Sequence, residues 1–102
     1  MAMHKPAHPG EILREWLAGY SQGEAAERLD IARGTLSRIL NGASGISADM
    51  DLRLHEALGT SEGFWLRLQA NHDLWQAHQL RRGSKVRILK IISKQDRIDE
   101  AA

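Results

Sequence analysis

Between Arg33 and Leu40 the chain interleaves Arg33, Gly34, Thr35, Ser37 and Arg38 with Leu36, Ile39 and Leu40. At about 100° per residue the three apolar side chains gather on one side of a helix, and the guanidiniums and hydroxyls occupy the rest. The chemistry such a face can perform is recognition. A guanidinium fork matches the paired acceptors of a guanine edge or of a phosphate, and hydroxyls reach backbone oxygens. Gln22, just upstream, and Asn41, just downstream, extend the same polar set. The plainer reading is a solvated surface, with Arg33 and Arg38 paired to Glu24, Glu27 or Glu56; Arg28 reads as a surface ion pair.

Other chemistries find little support. There is no cysteine, which excludes a thiol nucleophile and a zinc ribbon. His72 and His78 are six positions apart, about 240° on a helix, so they do not converge, and His4 and His8 fall in an N-terminal arm. No His-Glu-x-x-His string, glycine-rich phosphate loop or Ser-His-Asp arrangement is present. Asp49 and Asp51 sit at a helix start, where the helix dipole explains them. We therefore expect no enzyme, no metal and no cofactor.

The chain has 102 residues and a net charge of +1. That charge is unevenly spread. Residues 1–80 carry 7 basic and 10 acidic side chains, net −3, and residues 81–102 carry 7 and 3, net +4. Any nucleic-acid face must then be a local cluster on an acidic body. No apolar run approaches the roughly 20 residues of a membrane span, and no signal peptide is visible, so we expect no membrane partner and a cytoplasmic location.

The elements that must position the polar face are all helical, and five are expected. Pro9 opens the first, Ile12, Leu13, Trp16 and Leu17 form its apolar face, and Gly19 ends it. Ser21 and Glu24 make a capping box for the second, which Asp30 breaks after Leu29. Ala26 is small where two helices must approach closely, and Ile31, Leu36 and Ile39 fill the angle between them. This is the sequence form of a helix-turn-helix. The third helix spans Arg33 to Leu40 and stops at Asn41-Gly42. Ser47 caps the fourth, with Met50, Leu52, Leu54 and Leu58 inward and Gly59 as its stop. Ser61 caps a long fifth helix reaching Gln79. Its Phe64, Trp65, Leu68 and Trp75 close the core and supply a dimer interface. The expected organisation is an arm at 1–7, a helix-turn-helix and dimerisation domain at 8–80, and a basic extension at 81–102.

The extension is ambiguous. Val86, Ile88, Leu89, Ile91 and Ile92 have strand composition. Yet Arg87, Lys90, Lys94 and Arg97 share one face of a helical wheel, and the spacing favours a basic amphipathic helix over Lys85 to Ile98. A strand or an unfolded tail is the alternative. It would be a solvated appendage, a docking segment for a protein partner or second subunit through Ile88, Ile91 and Ile92, or a source of phosphate contacts.

Beyond these patterns, the chain resembles the HigA antitoxins, an Xre/Cro-type (lambda-repressor-like) group also labelled VapI-like. The resemblance rests on His8-Pro9-Gly10-Glu11-Ile12-Leu13, Ser21-Gln22, Ala25 to Leu29, Thr35 to Gly42, Gly45-Ile46-Ser47, Phe64-Trp65-Leu66, Leu68-Gln69 and Asp73-Leu74-Trp75. It runs from about His8 to Ala77. It implies a homodimer that binds double-stranded palindromic operator DNA and represses its own operon. It also implies a toxin partner, a HigB-like, RelE-type mRNA ribonuclease. Three positions depart from the family pattern: Ala32 replaces a capping serine, Gly34 a glutamine-like reader and Asp30 a turn glycine. Base reading would then shift to Arg33, Thr35 and Arg38. A stand-alone Xre-type repressor, or a toxin-binding module with weakened DNA binding, is the alternative.

Overall fold

The computed structural model describes residues 4–91. It is all-α, with five helices: α1 Pro9–Trp16, α2 Gln22–Leu29, α3 Arg33–Leu40, α4 Ala48–Leu58 and α5 Phe64–Arg82. Helices α1 and α2 both pack on α3, α4 joins α2 to α5, and α5 closes over α1 and α4. Leu13, Leu36, Leu54 and Trp65 are completely enclosed, and Ala25, Ala26, Leu29, Ile39, Ile46 and Met50 complete the core around them. Among the described residues, no helix is long and apolar enough to cross a membrane.

Local chemistry explains most boundaries. The His8 Nδ1 accepts from the Gly10 N–H at 2.9 Å and caps α1. That helix ends at Trp16, and a turn carries the chain through Gly19 at φ 96°. Ser21 Oγ accepts from the Glu24 N–H at 3.1 Å. The return bond of a full capping box is not made. Ser47 Oγ accepts from the Met50 N–H at 3.1 Å, as its position implied.

Three expectations require correction. Leu52 faces outward and is 46% exposed, because the register that turns Met50, Leu54 and Leu58 inward brings Asp51 with them instead. Asp51, expected only to offset the dipole of its own helix, is 2% exposed. Ser61 does not cap α5. That helix begins three residues later, with Gly63 at its N-cap in a left-handed conformation. Asp51 supplies the missing acceptor from α4: its carboxylate accepts from the N–H groups of Gly63 (2.6 Å), Trp65 (2.9 Å) and Leu66 (3.3 Å).

At the other end, α5 runs past Gln79 to Arg82. Lys85 to Ile91 form neither helix nor strand, against the expected amphipathic helix. An isolated helix of this length is marginal, and no neighbour among the described residues covers its apolar side: Val86, Ile88, Leu89 and Ile91 are 60–96% exposed. The rest of the expected tail helix, from Ile92 on, lies outside the described residues, as does the start of the arm.

Candidate nucleic-acid interface

The turn between α2 and α3 sets the angle of the polar helix. Asp30 takes φ 54° and ψ 49°, the left-handed conformation usually filled by glycine. The Ile31 N–H reaches back to the Ala26 carbonyl at 3.0 Å, and the Asp30 N–H reaches the Glu27 carbonyl at 3.1 Å. This is a Schellman-type ending, with Ile31 as its apolar anchor. Arg53 on α4 fixes it from outside: one nitrogen donates to both the Leu29 and Asp30 carbonyls at 2.8 Å. The hydrogen bond to Asp49 at 2.8 Å, with that carboxylate's charge, raises the Arg53 pKa above its ordinary value.

Helix α3 itself rests on α1. A Cβ built on Gly10 would collide with the Ile39 carbonyl oxygen, so only glycine allows this approach. Arg14 holds the far end, donating to the Leu40 carbonyl at 3.1 Å and to the Asn41 side chain at 2.6 Å. With Leu36, Ile39 and Leu40 buried beneath, Gly34 and Arg38 lie near the middle of the outward face. The space beside Gly34 is open, with only the end of the Arg38 guanidinium 4.0 Å from where a Cβ would lie.

The six polar residues of the candidate interface are differently placed. Arg33 and Arg38 are exposed, and neither lies within ion-pair distance of a carboxylate among the described residues. Thr35 and Ser37 are half-buried on the flanks. Asn41 is exposed but engaged: it accepts from Arg14 and donates to Ser37 Oγ at 3.4 Å. Gln22 opens α2 beside a 160 Å³ recess shared with Arg14, Leu36 and Leu40. Arg28 forms no ion pair among the described residues and stacks over the Tyr20 ring at 5.1 Å.

Sequence reasoning missed Arg14 and Arg53. Each is one of many arginines, and only the fold brings it to a helix end 23 or more positions away. It also missed the meeting of His8 and His72, whose rings stand edge to face at 4.8 Å. Burial and the His72 charge lower the His8 pKa below its ordinary value; Glu11 and Asp73 oppose this weakly.

Of the four residues assigned to a dimer interface, Trp65 is withdrawn. It is fully enclosed by its own chain, where its ring meets Phe64 and its Nε1 donates to Thr60 Oγ1 at 2.9 Å. Phe64, Leu68 and Trp75 are half-buried, and Lys5 lies over the Trp75 ring at 5.5 Å. Leu66, Leu74 and Leu80 on the same helix are more exposed than any of them, at 36%, 56% and 79%.

Two short helices at a fixed angle, with the second standing outward, define the helix-turn-helix class. A helix-turn-helix family model matches residues 11–65, and the chain belongs to that family. Within it, the fold is of the Xre/Cro type, and the chain is similar to the HigA antitoxins. An addiction module antidote protein of the HigA family from Coxiella burnetii superposes with a TM-score of 0.76 at 37% identity, covering 84% of this chain and all of that one. The Pseudomonas aeruginosa antitoxin HigA, solved with the higBA promoter, superposes with a TM-score of 0.74 at 35% identity, covering 83% and 99%. Virulence-associated protein A' of Dichelobacter nodosus is 43% identical over 90 residues, covering 85% of this chain and 77% of the relative.

Proposed function

We propose that this protein is the antitoxin of a type II, HigBA-like module. It binds palindromic operator DNA as a homodimer, represses its own operon, and neutralises a RelE-like mRNA endonuclease by direct contact. It works in the cytoplasm, on the nucleoid when operator-bound. The observation that carries the reading is the outward face of α3, where Arg33 and Arg38 are exposed and have no carboxylate partner among the described residues, on a helix that Arg14 anchors at its far end. The similarity to an antitoxin solved with promoter DNA over most of this chain supports it.

Arg33, Thr35 and Arg38 read bases, and Gln22, Ser37 and Asn41 position the backbone. One half-site takes one copy, so a palindrome takes two. Phe64, Leu68 and Trp75, with the exposed Leu74, form the seam along α5. The basic extension, residues 81–102, plays no part in this contact with DNA, although its first two residues, Arg81 and Arg82, end α5.

A gel shift with the chain's own upstream DNA tests the reading. Arg38→Ala should weaken binding by about 1–3 kcal/mol, roughly 5- to 150-fold, the value of one bidentate arginine–base pair. Its thermal midpoint should barely move, because the exposed Arg38 side chain makes no hydrogen bond or ion pair among the described residues. Unchanged affinity would refute the assignment. Failure to rescue growth from the toxin of the neighbouring frame would leave a stand-alone repressor. A toxin-binding module with weak DNA binding is favoured by one feature, the bare Gly34 at the centre of the face. It predicts rescue without a shift.

A further inference from the structure

Among the described residues, an apolar groove bordered by carboxylates and an exposed segment that is both apolar and basic stand out. The first is a groove of about 340 Å³ between the end of α1, α2 and α4, floored by Leu17, Ala25, Leu29 and Leu58 and edged by Tyr20, Ala57 and Arg28. Tyr20 is 49% exposed. The adjoining cleft shares Leu29 and Ala57 with the groove and is lined by Asp30, Asp49, Glu56 and Glu62. Glu24 and Glu27 line the next recess along α2. The cations there are already committed, Arg53 to Asp49 and the turn carbonyls and Arg28 to the Tyr20 ring. No α3 residue lines the groove or the cleft, so both stay accessible when α3 is engaged.

The second surface is the segment after α5. Val86, Ile88, Leu89 and Ile91 are exposed, with Lys85, Arg87 and Lys90 between them. The segment cannot easily reach the groove of its own chain. The helix α5 passes the start of α1 at His72, beside His8, and runs ten residues further before the segment begins. The groove lies at the other end of α1, by Leu17 and Tyr20.

We propose that residues 84–91 of one copy dock in the Leu17–Tyr20–Ala57 groove of a second copy, and reciprocally. The charges are complementary: the body carries −3 and the residues from 81 onward +4. Eight extended residues span about 26 Å, enough to lie along the groove and the acidic cleft beside it. Two such exchanges related by a two-fold axis close the assembly and leave no arm unpaired. The proposal rests on the two-copy reading above, but not on the α5 seam.

The chain has no cysteine, so Ile91→Cys accepts a single nitroxide label. Labelled copies are mixed with isotope-labelled wild-type copies, and amide signals are read from the latter. Tyr20 and Ala57 should lose intensity while Arg38 keeps its own. Ala57→Arg in the isotope-labelled copies, a change on an exposed helix position, should restore the Tyr20 signal. Mixed dimers that form without any loss at Tyr20 and Ala57 would overturn the exchange and leave the dimer standing. Loss seen only when label and observed amide share one chain would overturn it in favour of self-docking. A wild-type chain that sediments as a monomer would remove the two-copy reading, and the exchange with it.

Discussion

Helices α3 and α5 begin alike and are completed differently. Neither N-cap residue, Ala32 or Gly63, offers a side-chain acceptor. Helix α5 takes its acceptor from elsewhere, the buried carboxylate of Asp51 meeting three of its first amides. At α3 the Thr35 and Leu36 amides return to the Ala32 carbonyl, and the Arg33 and Gly34 amides have no partner among the described residues. The amides and the dipole at such a helix start favour an anion. The scaffold helix is finished inside the molecule, whereas the start of the helix on the candidate interface has no side-chain cap among the described residues.

The largest effect should come from removing what completes α5. Asp51→Ala leaves buried amides unpaired at its first turn and should cost about 3 kcal/mol or more. Asp51→Asn keeps an acceptor oxygen and should cost less. Urea unfolding followed by tryptophan fluorescence reads both. A wild-type midpoint for Asp51→Ala would break the contrast between the two helices. Next comes what holds α3. Gly10→Ala pushes α1 off the Ile39 carbonyl and should cost about 1–3 kcal/mol, the usual penalty of overpacking. Operator affinity should fall with it, since the two outer helices would no longer hold their angle.

Smaller effects of opposite sign sharpen the comparison. Ala32→Ser gives α3 the cap it lacks and should stabilise by about 1 kcal/mol. Gly34→Ala enters open space and should add a similar gain, about 1 kcal/mol, from helix propensity. If the free start of α3 serves DNA, neither stabilised variant should bind the operator more tightly in proportion. A gel shift run beside thermal melts separates the two quantities.

The bounds of α3 and the caps at Ser21 and Ser47 were legible because each is set by residues within a few positions. So was the end of α2 at Asp30, which needs only a short polar side chain and a following apolar anchor. The cap of α5 was not legible, because Asp51 lies 12 to 15 positions from the amides it meets. Leu52 was misassigned for a related reason. Both leucine and aspartate compete for inward positions on α4, and a buried carboxylate is unexpected until its partners are known. At the candidate site, the polar face could be read from periodicity. Which of its members are free and which are tied, as Asn41 is to Arg14, depends on a helix 27 positions upstream. Lys85 to Ile91 failed differently: the wheel was amphipathic, but nothing among the described residues covers its apolar side.

The smallest effect links the two helices through His8. Its ring caps α1, lies against Gly42 at the end of α3, and meets His72 of α5. Facing it are His72, Glu11 and Asp73, and burial with the His72 charge outweighs the two carboxylates, so the folded chain holds His8 below 6.5. The unfolded chain titrates near 6.5. Between the folded value and 6.5 the unfolded state therefore binds more protons, and stability rises with pH in that window. This contribution is intact above 6.5 and is lost as pH falls through the window below it. Protonation of Nδ1 also removes the acceptor for the Gly10 amide. Thermal melts from about pH 7 to about pH 5 should show a modest decline in stability. His8→Ser keeps a capping oxygen without a titrating group and should flatten that decline. An unchanged slope in His8→Ser would assign the pH response to other groups and detach the start of α1 from the balance between α3 and α5.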